Sequence, residues 1–288
     1  MRQTFTVGIL FPGEMGASLG RLLRLRGIHV VTTLEGRSER TARRCLADGL
    51  TVLDSLSDVV SVSDMIMSAV PPAAALAVAD QVASESVAQG SGGVYVDVNS
   101  VSPVTMRNLG ASLRHTKLLL VDASIHGLAT RLSRDATMYL SGAAASEVAE
   151  IVGSPPRTVI LGEDVGQASL FKMLLGGTSK GLVALLLELS NLALQEGVLD
   201  EFWAECRGWY PGVMEPFERL LPTYPQHIGR RIQEIEELEL TVSTGGREPV
   251  MAAAAHGVFA RAEKSPETLR TLAERIVRST RNKNVSHP

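Results

Sequence analysis

VGILFPGEMGASLGRLLRLRGIHVVTTL, residues 7–34, is the stretch that decides the fold. Val7 to Phe11 is a short apolar run, Pro12 to Gly16 makes a turn, and Ala17 to Arg26 repeats apolar residues at helical spacing until Gly27. Ile28 to Leu34 is a second β-rich run. A strand, a glycine turn, a helix and another strand, in that order, open a dinucleotide-binding unit. The small residues answer a physical need. Gly13 lets backbone approach a pyrophosphate, Gly16 lets the helix pack closely on the strand, and the phosphates sit at the helix N-terminus. Phe11, Pro12, Gly13, Glu14, Met15 and Gly16 are therefore the expected phosphate loop. It departs from the G-x-G-x-x-G pattern at Phe11, so the chain has to turn there with the help of Pro12.

After the second strand come Glu35, Gly36, Arg37 and Ser38. An acid here accepts hydrogen bonds from a free ribose 2′-hydroxyl and selects NAD, whereas an arginine with a serine holds a 2′-phosphate and selects NADP. Both signals are present. Arg37 and Ser38 open the next helix, where the dipole also attracts phosphate, which favours NADP(H) over NAD(H). Equally, Arg37, Arg40, Arg43 and Arg44 read as the solvated face of that helix. The alternation continues with strands at Met65 to Val70, Val94 to Asp97, Leu118 to Asp122 and Thr137 to Ser141. In an open parallel sheet, ligands lie outside the C-terminal strand ends. The loops carrying Val70, Pro71 and Pro72, and Asn99 and Ser100, are thus expected to face the same crevice as Gly13. Asn99, Ser100 and Ser102 before Pro103 are also ordinary helix caps. The expected architecture over residues 1–163 is an α/β, doubly wound, mostly parallel sheet.

Residues 166–197, GQASLFKMLLGGTSKGLVALLLELSNLALQEG, contain no proline and no continuous polar stripe. The pattern predicts one helix covered from several directions. At ~1.5 Å per residue it spans roughly 45 Å, more than one compact domain needs, so it reads as a beam joining two domains. A helical domain is expected over 164–280 and a disordered polar tail over 281–288. Lys172, in the first turns of the beam, falls where the domains meet, a favoured place for a small-molecule site. The plain alternative is a solvated lysine on a frayed end.

The chain has 288 residues, 45% hydrophobic and 20% charged, enough for a sizeable core in each of two domains. A net charge of −3 and 4% aromatic residues give no basic stripe of the kind that binds nucleic acid. Two distant cysteines, Cys45 and Cys206, suggest neither a disulfide framework nor a metal site. The first residues pass into a strand without a signal-peptide core, and Lys172, Lys180 and Glu188 break the longest apolar runs short of a membrane span. A cytoplasmic protein is expected.

Four separated motifs, FPGEMG (11–16), DVNSVSP (97–103), DASIHG (122–127) and GQASLFKM (166–173), resemble, in order, the signature segments of the β-hydroxyacid dehydrogenase family, which includes 3-hydroxyisobutyrate and 6-phosphogluconate dehydrogenases. YPQHIGRR (224–231) is similar to the helical C-terminal domain of a phosphogluconate-dehydrogenase-like branch. The resemblance implies an N-terminal Rossmann domain, an all-helical C-terminal domain and a nicotinamide cofactor. It also implies a lysine, matched by Lys172, that assists hydride transfer between an alcohol and a carbonyl. Asn99 and Ser100 match the family's substrate and nicotinamide loop, and His126 with Gly127 match its substrate-carboxylate turn. By analogy with relatives whose helical domains interlock, a homodimer is expected.

Three departures bear on the substrate. Gly176, followed by Gly177, replaces the family's asparagine one turn after the lysine, which suggests room for a larger substrate. His126 replaces a serine and is either a second acid or base or a hydrogen-bonding filler. Phe11 alters the phosphate loop. The resulting reading is an oxidoreductase of a small hydroxy acid with Lys172 as acid/base. The alternatives are an imine reductase on the same scaffold and a nucleotide-binding protein without turnover. In the second domain, Trp203, Trp209 and Tyr210 either cap a cleft or anchor a core. His227, Arg230, Arg231 and Glu234 either bind an anionic group or tie helices together. Lys180, eight residues after Lys172 and ~80° around the helix, ranks below it as a site residue.

Overall fold

Alternation of side chains along each strand sorts the first half into two layers of core. In the computed structural model, which describes residues 5–283, the order is β1 (Thr6–Leu10), α1 (Glu14–Leu25), β2 (His29–Thr33), α2 (Glu39–Ala47), β3 (Thr51–Leu53), α3 (Leu56–Val62) and β4 (Met65–Ser68). Then come α4 (Ala75–Gln89), β5 (Gly92–Asp97), α5 (Pro103–Leu113), β6 (Lys117–His126), β7 (Thr137–Ser141), α6 (Ala145–Val152) and β8 (Arg157–Gly162). One sheet forms in the order β3-β2-β1-β4-β5-β6-β7-β8, with only the β6–β7 pair antiparallel. Val7, Ile9, Met65, Met67, Val94 and Val96 point to one face and pack with α1, whereas Leu10, Ile66 and Tyr95 point to the other and pack with α3, α4 and α5. The two strands that the sequence did not announce, β3 and β8, are the sheet's edges. Neither has a fully buried residue, so neither carries the continuous apolar run that marks an inner parallel strand.

The compact units divide between Lys172 and Met173, nine residues past the boundary expected at 163. The cause is local. The first turn of α7 (Gln167–Gln195) is held by side chains of β6 and β7, so it belongs with the sheet. The second unit continues with α8 (Leu199–Trp209), α9 (Pro211–Leu220), α10 (Tyr224–Thr244), α11 (Val250–Lys264) and α12 (Pro266–Lys283). Helix thus runs into the expected tail, whose residues 284–288 lie outside the described residues.

α7 is one unbroken helix of 29 residues, and by length and composition it is apolar enough to cross a membrane. That corrects the expectation that its charges break it short. Lys172, Lys180 and Glu188 are eight residues apart, so an 18-residue window that omits Lys172 or Glu188 holds no more than two charges. Val183, Ala184, Leu186 and Leu187 on this helix nonetheless join Phe217, Ile235, Phe259 and Leu272 in the core of the second unit. Of the three aromatics, Trp203 is the core anchor, fully buried and donating from Nε1 to Ser190 Oγ at 2.9 Å, while Trp209 and Tyr210 are exposed.

The glycine pair on α7 faces Leu238 and Lys180, and Gly177 also lines a cavity of about 380 Å³ with Leu174, Thr178 and Gly181. A Cβ at Gly177 would stand 2.7 Å from Leu238 Cδ2 of α10, and one at Gly176 would stand 3.1 Å from the ammonium of Lys180. The absent side chains admit a packed leucine and an ion cluster. Lys180 Nζ lies 3.0 Å from Glu234 Oε2, and Arg231 and Arg230 reach the same carboxylate at 3.3 and 3.0 Å. The structure therefore ties α10 to α7 through the residues for which helix tying and anion binding had both been open.

Burial alone would raise the Glu234 carboxyl, but Lys180 and the two arginines pull it down to about 2, while burial lowers Lys180. A carboxyl depressed by folding contributes stability above its ordinary value and loses it as pH falls toward the folded one. The acid limb of unfolding between pH 4.5 and about 2 should therefore shrink in Glu234→Gln. At pH 7 that variant is expected to lose about 3–5 kcal/mol in urea unfolding, because it strands buried cations, and Lys180→Met should restore part of the loss. Equal stability of wild type and Glu234→Gln at both pH values would count against this cluster.

Candidate active site

The loops after β1, β4, β5 and β6 follow one another along the C-terminal edge of the sheet, since those strands are adjacent and parallel. Ligands of such sheets bind at this edge, where the strand order reverses on either side of β1. The four motifs of the sequence meet here.

At the first position, Gly13 is the N-cap of α1 and offers no side-chain cap, so the free N–H groups of Glu14, Met15 and Gly16 are left for an anion. A Cβ at Gly13 would meet nothing within 4 Å, which leaves the backbone open to a pyrophosphate. Gly16, in contrast, is crowded, with a Cβ there 3.1 Å from Pro12 Cβ and 3.2 Å from Ala69 Cβ. Helix α1 approaches the strand ends as closely as it does because that position is glycine. These residues fit a dinucleotide. The chain turns at Phe11. Phe11 has φ of +46°, the single positive value on a non-glycine among the described residues.

Glu35, Gly36, Arg37 and Ser38 are all exposed after β2. Ser38 caps α2, accepting from Thr41 N at 3.4 Å, and the guanidinium carbon of Arg37 lies 5.9 Å from the centroid of the Phe11 ring. Phe11, Glu35, Gly36, Leu56, Asp80 and Glu85 line a cleft of about 590 Å³.

The loops after β4 and β5 are clamped together. Asn99, nearly fully buried, accepts from Val70 N at 2.6 Å and donates from Nδ2 to Ser68 Oγ at 3.2 Å and to Asp97 Oδ2 at 2.7 Å. Pro71 and Pro72 carry the chain from Val70 toward α4, and Ser102 caps α5 while Ser100 stays half-buried. Burial pushes the Asp97 carboxyl up to about 7 against the bonds from Asn99, with nearby Asp122 adding to the rise.

The end of β6 carries the residues around Lys172. Asp122 is fully buried in the strand, and its carboxylate accepts from Gly166 N at 3.0 Å, Ser169 N at 2.9 Å and Ser169 Oγ at 2.7 Å. Ser141 Oγ of β7 accepts from Ala168 N at 3.1 Å, and Ser124 Oγ donates to Ala168 O at 2.9 Å. These bonds fix the first turn of α7. One turn on, Lys172 Nζ donates to Ile125 O, next to the exposed His126. Gly127 completes the turn with φ of +143°, and a Cβ there would stand 2.8 Å from Ala136 Cβ.

The sequence reading named Lys172 and His126 but passed over Asp122, Ser124, Ser141 and Ser169. A charged residue inside an apolar inner strand was the available signal, because a buried carboxylate has to be matched by donors. Asp122→Ala leaves two buried N–H groups and the hydroxyls of Ser169 and Ser141 without their acceptor. It is expected to cost about 2–4 kcal/mol and to speed amide exchange at residues 166–170 ahead of β1. Unchanged exchange in that turn would show that Asp122 does not hold it.

Residues 6–152 match the family described as the NAD binding domain of 6-phosphogluconate dehydrogenase, and residues 193–262 match a domain of unknown function, DUF1932. An uncharacterized 28.5 kDa protein in the 7S RNA 5′ region of Methanothermus fervidus is 30% identical over 270 residues, which is 90% of this chain and 99% of that protein. Conserved protein MTH1747, whose solved structure is described as similar to 3-hydroxyacid dehydrogenases, is 30% identical over 92% of this chain and 99% of its own, with a TM-score of 0.72. The 3-hydroxyisobutyrate dehydrogenase of Mycobacterium tuberculosis, solved with L-serine, shares the fold at a TM-score of 0.75 and 16% identity, over 93% of this chain and 99% of its own. Imine reductase and reductive aminase structures share it at a TM-score of 0.60.

Proposed function

The chain belongs to the β-hydroxyacid dehydrogenase-like family with a helical C-terminal domain, and we propose that it is an NADP(H)-preferring oxidoreductase of a small hydroxy acid, with Lys172 as acid/base. The observation that carries this reading is the Lys172 ammonium on the Ile125 carbonyl, at the sheet edge where the Gly13 loop lies open. The bound nicotinamide would give or take the hydride. Lys172 holds the matching proton at the substrate oxygen, giving it up when a carbonyl is reduced and receiving it when an alcohol is oxidised. Its charge also favours the oxygen as negative charge develops. The Ile125 carbonyl orients the ammonium, and Asp122, Ser124 and Ser141 act one step back by fixing the turn that carries it. Asn99 is committed to Val70, Ser68 and Asp97, so it supports the loop from which Ser100 meets the ligand. Gly13 to Gly16 hold the pyrophosphate, with Val70 to Pro72 beside them. Arg37 and Ser38 receive the 2′-phosphate of NADP, and Glu35 would accept the ribose hydroxyl of NAD.

A second reading, reduction of a C=N bond, rests on His126. It stands exposed beside the carbonyl that holds Lys172 and offers another group able to keep a proton. Lys172→Ala separates the two. Oxidation of hydroxy acids is expected to fall by about 10²–10⁴-fold with cofactor binding retained. Imine reduction that survives in the variant would favour the second reading. Cofactor binding with turnover of neither substrate class by the wild type would leave a nucleotide-binding protein without catalysis.

The second unit supports a homodimer. Leu174, Leu185, Leu189 and Leu192 form one exposed stripe on α7, with Gly181 open on the same face. An apolar face of this length is a mark of an association surface, and a second copy of the chain fits it. Light scattering at micromolar concentration is expected to give twice the 30.8 kDa chain mass, and Leu185→Glu with Leu192→Glu should halve it. A monomeric wild type would end the dimer reading.

A further inference from the structure

Phe11 occupies a position whose φ of +46° a glycine would adopt freely. An aromatic residue is strained there, and such strain persists at sites where the side chain does something the backbone alone does not. The surroundings of the ring say what that is. It packs against the core on the α3–α5 face of the sheet and lines the cleft with Glu35, Asp80 and Glu85. The Arg37 guanidinium lies over it at 5.9 Å, within the range of a cation–π contact. Three carboxylates line this cleft, and Glu35 is two residues away in the chain, yet none of the ion pairs among the described residues includes Arg37.

We infer that Phe11 is a positioning residue for cofactor selection. Its ring holds Arg37 over the mouth of the cleft, where the guanidinium meets the 2′-phosphate of NADP(H) and offsets the carboxylates that would repel it. The ring keeps the arginine from collapsing onto Glu35 or Asp80, so the binding charge is in place before the ligand arrives. The phosphate loop thereby gives up its first glycine and gains a selector. This rests on the reading that the adenosine half of the cofactor lies beside the loop that Phe11 opens.

The test is a titration of the full chain with NADPH and with NADH, followed by nicotinamide fluorescence, together with thermal melting of the cofactor-free variants. Wild type should bind NADPH more tightly. Phe11→Leu keeps an apolar side chain but removes the aromatic face, and should weaken NADPH by roughly three- to tenfold while changing NADH by less than about twofold. Phe11→Tyr should keep the wild-type ratio. Arg37→Ala should lose the preference, and adding Phe11→Leu to it should weaken NADPH no further, since the two residues act as one unit. Melting within about two degrees of wild type identifies the loss as one of selection and not of folding. An unchanged NADPH-to-NADH ratio in Phe11→Leu, equal weakening of both cofactors, or additive effects of the two substitutions would overturn the inference. Tighter binding of NADH by the wild type would overturn it too, while leaving the oxidoreductase reading in place. Binding of neither cofactor would remove that reading and this one together.

Discussion

The buried carboxylate of Asp122 is the constraint on which the site depends. Taking a charge out of water is tolerable only where donors replace the water, and the first turn of a helix has N–H groups that its own backbone cannot satisfy. β6 supplies the carboxylate and α7 supplies the donors, so each repairs the deficit of the other. The result is directional. A helix held at Gly166, Ala168 and Ser169 can present residue 172 to one place only, the carbonyl at the end of the strand that holds it. Burial raises the Asp122 carboxyl and the bonds from Ser169, Gly166 and Ser141 oppose that rise, so the same contacts that anchor the helix also favour the charged form.

A second constraint governs the other end of the sheet edge. Helix α1 can come close to β1 and β4 because Gly16 lacks a side chain, and it is uncapped because Gly13 lacks one too. Phe11 is the counterweight. It accepts a left-handed backbone, at a cost on the order of 1–2 kcal/mol, in a loop cleared of bulk at Gly13 and Gly16. The chain therefore combines an open backbone for phosphate with one aromatic ring beside it.

Much of this was legible in the sequence for reasons of period and punctuation. Inner strands such as Val94 to Asp97 are buried on both faces and read as apolar runs, and the glycine turn before α1 has little other use. The edge strands β3 and β8 were not legible, because a half-exposed strand shares its composition with a loop. What stands against the glycine pair was not legible either, since sequence gives an absence of side chain without saying what lies beside it. Leu238 and the Lys180 ammonium come from 61 and 4 residues away, and only the folded helices bring them there. The roles of Asp122 and Ser141 were hidden for the same reason. Their partners are donors in a helix more than two dozen residues further on.

Gly177 sets the spacing of α7 and α10 by what it lacks, since one added carbon would strike Leu238. Such a contact leaves a trace in evolution. A lineage that acquires alanine or serine at 177 has to turn or shorten the side chain at 238 or shift a helix, so a change at one position bears on the other. Homologues that depart from glycine at the first position should carry a smaller or turned side chain at the second, and a homologue that does neither has rebuilt its helical domain around a different distance.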